Sequence, residues 1–189
     1  MSASLVPTPG QTVGPFFGFA LPYPGDADLV PRGHTGALHL AGRVLDGEGR
    51  PVPDALLELW QAGPDGVAVA EPGSLRRDGW TFTGWGRAST DNAGGYSFTT
   101  LRPGAPVGTA PFFALAVFAR GLLDRLLTRV YLPGDEELLR ADPLLSALPP
   151  QRRQTLVARA DADGGLRFDV VLHGERETVF LAYPRTPPR

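Results

Sequence analysis

The sequence predicts an all-β fold: a β-sandwich with an irregular N-terminal arm and one or two short helices. Three observations predict it. Short apolar segments with strand-like alternation recur from residue 37 onward, glycine and proline clusters separate them, and residues 135–148 have the mixture of Glu, Leu, Arg and Ala typical of short helices. The 24 glycines and 20 prolines lie between apolar segments, so they indicate turns rather than a disordered chain.

The chain is predicted to consist of an arm, residues 1–36, and a sandwich domain, residues 37–189. The arm is rich in proline and glycine and shows no sustained period. It is therefore expected to lie over the domain or over a partner. The full length of 189 residues suits one domain with a hydrophobic core.

The first two strands are predicted as a hairpin with a long loop. In residues 37–45, Leu40 and Val44 fall on one face of a strand. The loop contains the glycine-rich turn 46–49, and residues 55–62 form the second strand.

A second hairpin is predicted from residue 85 to residue 101. Residues 85–90 and 96–101 are its strands, and the turn 91–95 joins them. Tyr96 and Phe98 are expected to share the buried face of the second strand.

The remaining strands follow from apolar runs. Residues 112–120 are apolar on both faces, as expected of a central strand that is covered on each side. Further strands are predicted at residues 128–132, 155–160, 166–172 and 177–183.

Composition excludes several function classes. The formal net charge of -2 gives no field that would attract nucleic acid or an anionic membrane. The absence of cysteine excludes disulfides, a thiolate nucleophile and sulfur-based metal sites. The N-terminus lacks the pattern of a signal peptide, and the longest apolar run, 112–119, is too short to span a bilayer. A soluble, cytoplasmic protein without nucleic-acid or membrane partners is expected.

No catalytic apparatus is visible in the residue pattern. The three histidines lie in separate segments, and no nucleophile elbow or phosphate-binding loop occurs. Glu58 lies in an apolar strand, where a hydrogen-bonded structural carboxylate is preferred to a buried acid. Arg120 ends an apolar strand and either meets an anionic ligand or pairs with an acid such as Asp124; from the residues alone, the pair is preferred.

Several motifs keep a specific order and spacing. They read PGQTVGPF at 9–16, LELWQA at 57–62, GGYSFTTLRPG at 94–104, FARG at 118–121 and TRVYL at 128–132. Together they resemble the intradiol ring-cleavage dioxygenases over about residues 7–181. The resemblance implies a β-sandwich of the intradiol dioxygenase type.

The resemblance also implies that this chain has lost a metal site. Catalytic members of the family hold ferric iron with two tyrosines and two histidines. The matching positions are here filled by Phe112, Ala114, Pro106 and Val67, which have no side-chain lone pair for a hard ferric ion. The resemblance therefore implies a chain with no catalytic residue and no metal, whose Fe(3+) is held by a homologous beta subunit.

The implied reaction is the opening of 3,4-dihydroxybenzoate by O2 between its two hydroxylated carbons, which gives 3-carboxy-cis,cis-muconate. The implied assembly contains several alpha–beta pairs. Thr12, Gly14 and Pro15 of the arm are implied to line the substrate pocket, and Arg120 is implied to place a cation near it. An arginine suits a substrate with a carboxylate, and with the resemblance the ligand role of Arg120 becomes the preferred one.

Two alternatives remain open. The first is a β-sandwich binding or adaptor module without enzymatic context, which the strand pattern alone permits. The second is an iron dioxygenase that works alone and takes its ligands from Tyr96 or Tyr131 together with His173.

Overall fold

Two β-sheets form the body of the protein. The structure, a computed structural model, describes residues 12–14, 16–71 and 77–183. One sheet has the order β4-β1-β8-β7, with β9 also paired to β1, and the other has the order β3-β2-β5-β6. The strands are β1 (Ala37–Leu45), β2 (Leu56–Gln61), β3 (Trp85–Ser89), β4 (Gly95–Leu101), β5 (Phe112–Phe118), β6 (Leu126–Tyr131), β7 (Arg159–Ala160), β8 (Leu166–Arg167) and β9 (Val170–Val171).

The predicted all-β sandwich is confirmed by the core between the sheets. Leu40 and Phe98 of the first sheet and Leu57, Phe113 and Leu115 of the second belong to one buried cluster. The alternation of apolar residues along each strand directs these side chains inward. β5 lies between β2 and β6, so the predicted central position of this strand is confirmed. The strand ends at Phe118, and Phe112 and Ala114 on its outer face are only half-buried, so it is not fully covered on each side.

Both predicted hairpins are wrong, because their strands enter different sheets. β1 pairs with β4, whereas β2 pairs with β3 and β5. The turn between β3 and β4 does exist, and the Asp91 carboxylate accepts the backbone N–H groups of Ala93 and Gly95. Turn residues show where the chain reverses, but burial of apolar faces decides which sheet the next strand joins.

Four short helices accompany the sheets in the described part of the chain. They are α1 (Phe17–Ala20), α2 (Glu136–Ala141), α3 (Pro143–Ser146) and α4 (Pro150–Gln154). The one or two short helices predicted at 135–148 are therefore confirmed as α2 and α3, and each is preceded by an aspartate whose side chain accepts at least one backbone N–H group. No helix in this part of the chain is long and apolar enough to cross a membrane.

The C-terminal strands are shorter than predicted. The expected strand at 177–183 is absent. Thr178 N–H donates to Val171 O at 3.0 Å, while Leu181 N–H donates to Leu127 O at 2.7 Å. Because the segment bonds to two different neighbours in succession, it does not form a ladder with either.

The segment before β1 packs on the first sheet. Leu29 and Val30 are buried, and Leu29 N–H donates to Thr99 O of β4 at 2.8 Å. This contact ties the chain N-terminal to β1 to the sandwich.

Candidate functional site

The start of the described chain lies against the turn that contains Arg120. Thr12 Oγ1 accepts a hydrogen bond from Gly121 N–H at 2.8 Å, across 109 residues of sequence. Gly121 has a φ of 90°, a conformation that strains residues with a Cβ. Next to this contact is a cavity of about 770 Å³, whose lining includes Val13 and Leu122. The structure thus brings Thr12 and the turn of Arg120 together.

The predicted site contains two further arm residues, Gly14 and Pro15. Gly14 is exposed, and a Cβ at its position would meet no atom within 4 Å. No neighbour among the described residues therefore requires a glycine there. Pro15 lies outside the described residues.

Arg120 forms an ion pair at the surface. Its Nη2 lies 2.9 Å from Asp54 Oδ2, and the two side chains are 53% and 44% exposed. The predicted pairing of a rim arginine with an acid therefore exists, but Asp54 is the acid in place of Asp124. At this exposure such a pair contributes only about 0.2–1 kcal/mol to stability, so a carboxylate of a ligand can compete for the guanidinium.

The positions of the two expected histidines lie on the outer face of β5. Ala114 is opposite Trp60 of β2 and Arg129 of β6. The guanidinium carbon of Arg129 lies 4.1 Å from the centre of the Phe112 ring, as in a cation–π contact. Phe112 and Ala114 share the lining of a cavity of about 370 Å³ with Trp60, Leu127 and Arg129.

The positions of the two expected tyrosines lie in neighbouring loops. Gly104 N–H donates to Gly63 O at 2.9 Å, which joins the loop of Pro106 to the loop of Val67. Val67 is 62% exposed. Neither Val67 nor Pro106 lines the cavity of Phe112. Phe112 and Ala114 therefore lie together on β5, whereas Val67 and Pro106 lie in two neighbouring loops.

A buried network lies behind the Phe112 cavity. Arg129 Nη1 donates to Tyr131 Oη at 3.1 Å, and Tyr131 Oη donates to Asp142 Oδ1 at 2.9 Å. Asp142 also accepts the N–H groups of Leu144 and Leu145 at the start of α3 and of Ala110 before β5. Burial raises the pKa of Tyr131 to about 12, although Arg129 acts in the opposite direction.

The residues that the structure describes do not fit a ferric ion. Within residues 12–14, 16–71 and 77–183, no group of three or more His, Cys, Asp or Glu side chains could hold a metal. Tyr131 and Tyr96 use their hydroxyls as internal donors, the latter to Phe168 O at 2.7 Å, and burial raises the pKa of both. A tyrosinate ligand is therefore disfavoured at either position, which argues against the lone-enzyme alternative that also used His173.

Sequence comparisons decide the family. A family model described as "Dioxygenase" matches residues 26–174. The chain is 37% identical to the protocatechuate 3,4-dioxygenase alpha chain of Burkholderia cepacia, over 94% of this chain and 98% of that protein. The chain belongs to the intradiol dioxygenase family. A second member of this family, the alpha chain of the same name from Pseudomonas putida, is 36% identical over 97% of this chain and 100% of its own length.

The chain is also similar to a beta chain and to a dioxygenase domain whose structure has been solved. The protocatechuate 3,4-dioxygenase beta chain of Burkholderia cepacia is 36% identical, over 74% of this chain and 65% of that protein. The dioxygenase domain of a carbohydrate-binding fusion protein from Streptomyces sp. SirexAA-E aligns with a TM-score of 0.60 and 27% identity, over 89% of this chain and 99% of that chain. The fold of the intradiol dioxygenase family, expected from the motifs, is thereby confirmed.

Sequence reasoning missed three partners in this intradiol dioxygenase chain. Asp54 pairs with Arg120 from a loop that the strand pattern leaves undefined, and Arg129 meets Phe112 only once β5 and β6 are in register. Of the three, Arg87 was the easiest to predict from the sequence, because it is a charged residue in the strand that pairs with the strand of Glu58. Their side chains lie 2.7 Å apart on directly opposed residues, which agrees with a structural role for Glu58.

Proposed function

We propose that this chain is the alpha subunit of a heteromeric protocatechuate 3,4-dioxygenase and completes the active site of an iron-bearing beta subunit. The similarity to two alpha chains over nearly their whole length carries the proposal. The side chains at the four iron-ligand positions support it, since phenylalanine, alanine, proline and valine donate nothing to ferric iron.

The proposed reaction is that of the assembled enzyme. O2 opens 3,4-dihydroxybenzoate between its hydroxylated carbons and gives 3-carboxy-cis,cis-muconate, as one step of aromatic catabolism. The Fe(3+) belongs to the beta subunit, and alpha–beta pairs associate further. The absence of cysteine suits the reducing cytoplasm that we propose as the location.

This chain would contribute recognition rather than chemistry. In the proposal, residues 1–36 form an arm at the subunit interface, residues 37–189 form the dioxygenase-like domain, and Thr12, Gly14 and Pro15 line the substrate pocket. Arg120 supplies a cation for the substrate carboxylate. The hydrogen bond from Gly121 to Thr12, which holds one arm residue beside Arg120, supports a shared site.

The subunit proposal can be tested by co-expression with a homologous beta chain. The co-purified complex should contain both chains and cleave 3,4-dihydroxybenzoate, whereas this chain alone should be inactive. An adaptor module would instead be a stable monomer that does not bind the beta chain, as measured by size-exclusion chromatography with light scattering. An inactive complex with a verified beta chain would contradict the proposal.

The role of Arg120 has a more selective test. In the assembled enzyme, Arg120→Ala should raise KM for 3,4-dihydroxybenzoate by about tenfold or more while changing KM for catechol little, because catechol has no carboxylate. Asp54→Asn should have the opposite effect on the first substrate, since it removes the competing carboxylate. Equal losses for both substrates in Arg120→Ala would show that the arginine acts only through structure.

A further inference from the structure

Two arginines face each other across the short hairpin of β7 and β8. In the antiparallel register, Arg159 is the direct partner of Arg167, so both side chains leave the same face of the sheet. Directly opposed like charges destabilise a strand pair. Within the described residues, neither guanidinium has a hydrogen bond or an ion pair. No acid of that part of the chain therefore neutralises either guanidinium by direct contact.

The two arginines line a cavity of about 560 Å³. Arg152 and Arg176 also line it, against two acids, Asp169 and Glu175. One oxygen of Asp169 already accepts the N–H of Arg43 at 2.9 Å. Arg152 is partly compensated by Glu177, whose backbone O it contacts at 2.7 Å and whose carboxylate lies 3.9 Å away. The cavity thus has an excess of cationic donors.

The floor of the same cavity is partly apolar. Leu45, Val157, Phe168 and Val171 belong to its lining. Planar guanidinium groups bind carboxylates through paired hydrogen bonds, and apolar side chains favour a carbon skeleton over a bare inorganic ion. The cavity lies away from the iron-ligand positions on β5, and it shares no lining residue with the cavity of Phe112.

We propose that this cavity is a binding site for a small organic polycarboxylate, held by Arg159 and Arg167 with Arg176 beside them. The ligand places one carboxylate between the opposed guanidinium groups and thereby removes their repulsion. This role is independent of the proposed subunit function, and its tests do not need dioxygenase activity.

The test is thermal unfolding of the full chain with citrate as the tricarboxylate probe. Low-millimolar citrate should raise the unfolding midpoint by about 2–4 °C above that in sodium chloride or acetate of equal ionic strength. Inorganic phosphate should give a smaller rise. If phosphate matches citrate, or if sodium chloride reproduces the rise, the polycarboxylate site is refuted.

Charge reversal at one arginine separates the site from a general salt effect. Arg167→Glu should raise the midpoint without citrate by about 1–2 °C, because an opposed pair of unlike charges replaces two like charges. The same variant should lose the citrate response. The matched control Arg102→Glu reverses an exposed charge outside the cavity and should keep the response.

A second variant covers the case in which Arg167→Glu does not fold. Arg159→Gln keeps a polar side chain at an exposed position and should also abolish the citrate response. A response that persists in both variants would overturn the proposal, since citrate would then act as an excluded salt. A response that disappears equally in Arg102→Glu would also overturn it, because the effect would then depend on overall charge and not on this cavity.

Discussion

Two regions beside the second sheet differ in how their polar groups are exposed and bonded. The rim, defined as Thr12, Gly14, Arg120 and Gly121, has half-exposed or exposed groups and one surface ion pair. The wall, defined as Phe112, Ala114, Arg129, Tyr131 and Asp142, has a hydrogen-bonded chain that ends in a carboxylate with 1% exposure.

The difference indicates which region can bind a ligand. A surface pair such as Arg120–Asp54 can exchange its partner at little cost, because water screens both charges. A buried carboxylate that accepts several hydrogen bonds cannot do so without leaving its donors unsatisfied. The wall is therefore structural, and this contrast supports the proposal that the rim is the part of this chain that recognises a ligand.

The largest effect is expected at the base of the wall. Asp142→Ala should reduce the free energy of unfolding by roughly 3 kcal/mol or more, because Tyr131 and the N–H groups of Ala110, Leu144 and Leu145 lose their acceptor. Urea denaturation measures this loss. The control Asp135→Ala removes an exposed cap of α2 that accepts one N–H, that of Leu138, and should cost about 1 kcal/mol. Equal costs would contradict the contrast.

A smaller, pH-dependent loss in the free energy of unfolding is expected for Tyr131, which donates to Asp142. Tyr131→Phe should cost about 1–2 kcal/mol, since the hydroxyl both accepts from Arg129 and donates to Asp142. The wild-type stability should fall as pH rises from about 10, the unfolded pKa of tyrosine, through about 12, its raised pKa in the fold.

The variant tests the assignment of that pH dependence. Tyr131→Phe should lose the Tyr131 share of the decline above pH 10 and keep the share of the buried Tyr96. Urea midpoints of both proteins, compared between pH 8 and 11, measure the difference. Parallel curves would show that the Tyr131 hydroxyl titrates normally in the folded protein.

At the rim, backbone conformation should matter more than side-chain contacts. Gly121→Ala is expected to cost about 1 kcal/mol, because alanine is strained at a φ of 90° although no atom lies within 4 Å of the added Cβ. The φ of Gly14 is not positive, so Gly14→Ala should leave the stability of the isolated chain unchanged. If Gly14→Ala proves the more damaging, then Gly14 has contacts beyond those with the described residues.

A small stability effect is expected for the ion pair of the rim. Arg120→Ala should change the free energy of unfolding by less than about 1 kcal/mol, because half of each charged side chain is in solvent. The cost should fall further when salt is added. A salt-independent loss of 2 kcal/mol or more would assign Arg120 to the structural framework and weaken its role in recognition.

The sequence predicted much of this arrangement, but not its partners. Alternation and turn residues were enough for the sandwich and for the central position of β5, since these follow from local pattern. The hairpins were wrong, because β2 and β3 join a different sheet from β1 and β4 through long-range burial that no local signal encodes. Arg120 could be singled out by its place after an apolar strand, whereas Asp54 could not, because loop geometry brings it there.

The most direct measurement is the iron content of this chain, purified without a beta subunit and exposed to ferric iron. Because the wall offers no ligands for ferric iron, we expect far less than one bound iron per chain. We also expect no tyrosinate-to-iron absorption band and no opening of 3,4-dihydroxybenzoate. One tightly bound ferric ion per chain, together with ring opening, would contradict the proposal that this chain contributes recognition and leaves the metal to its partner.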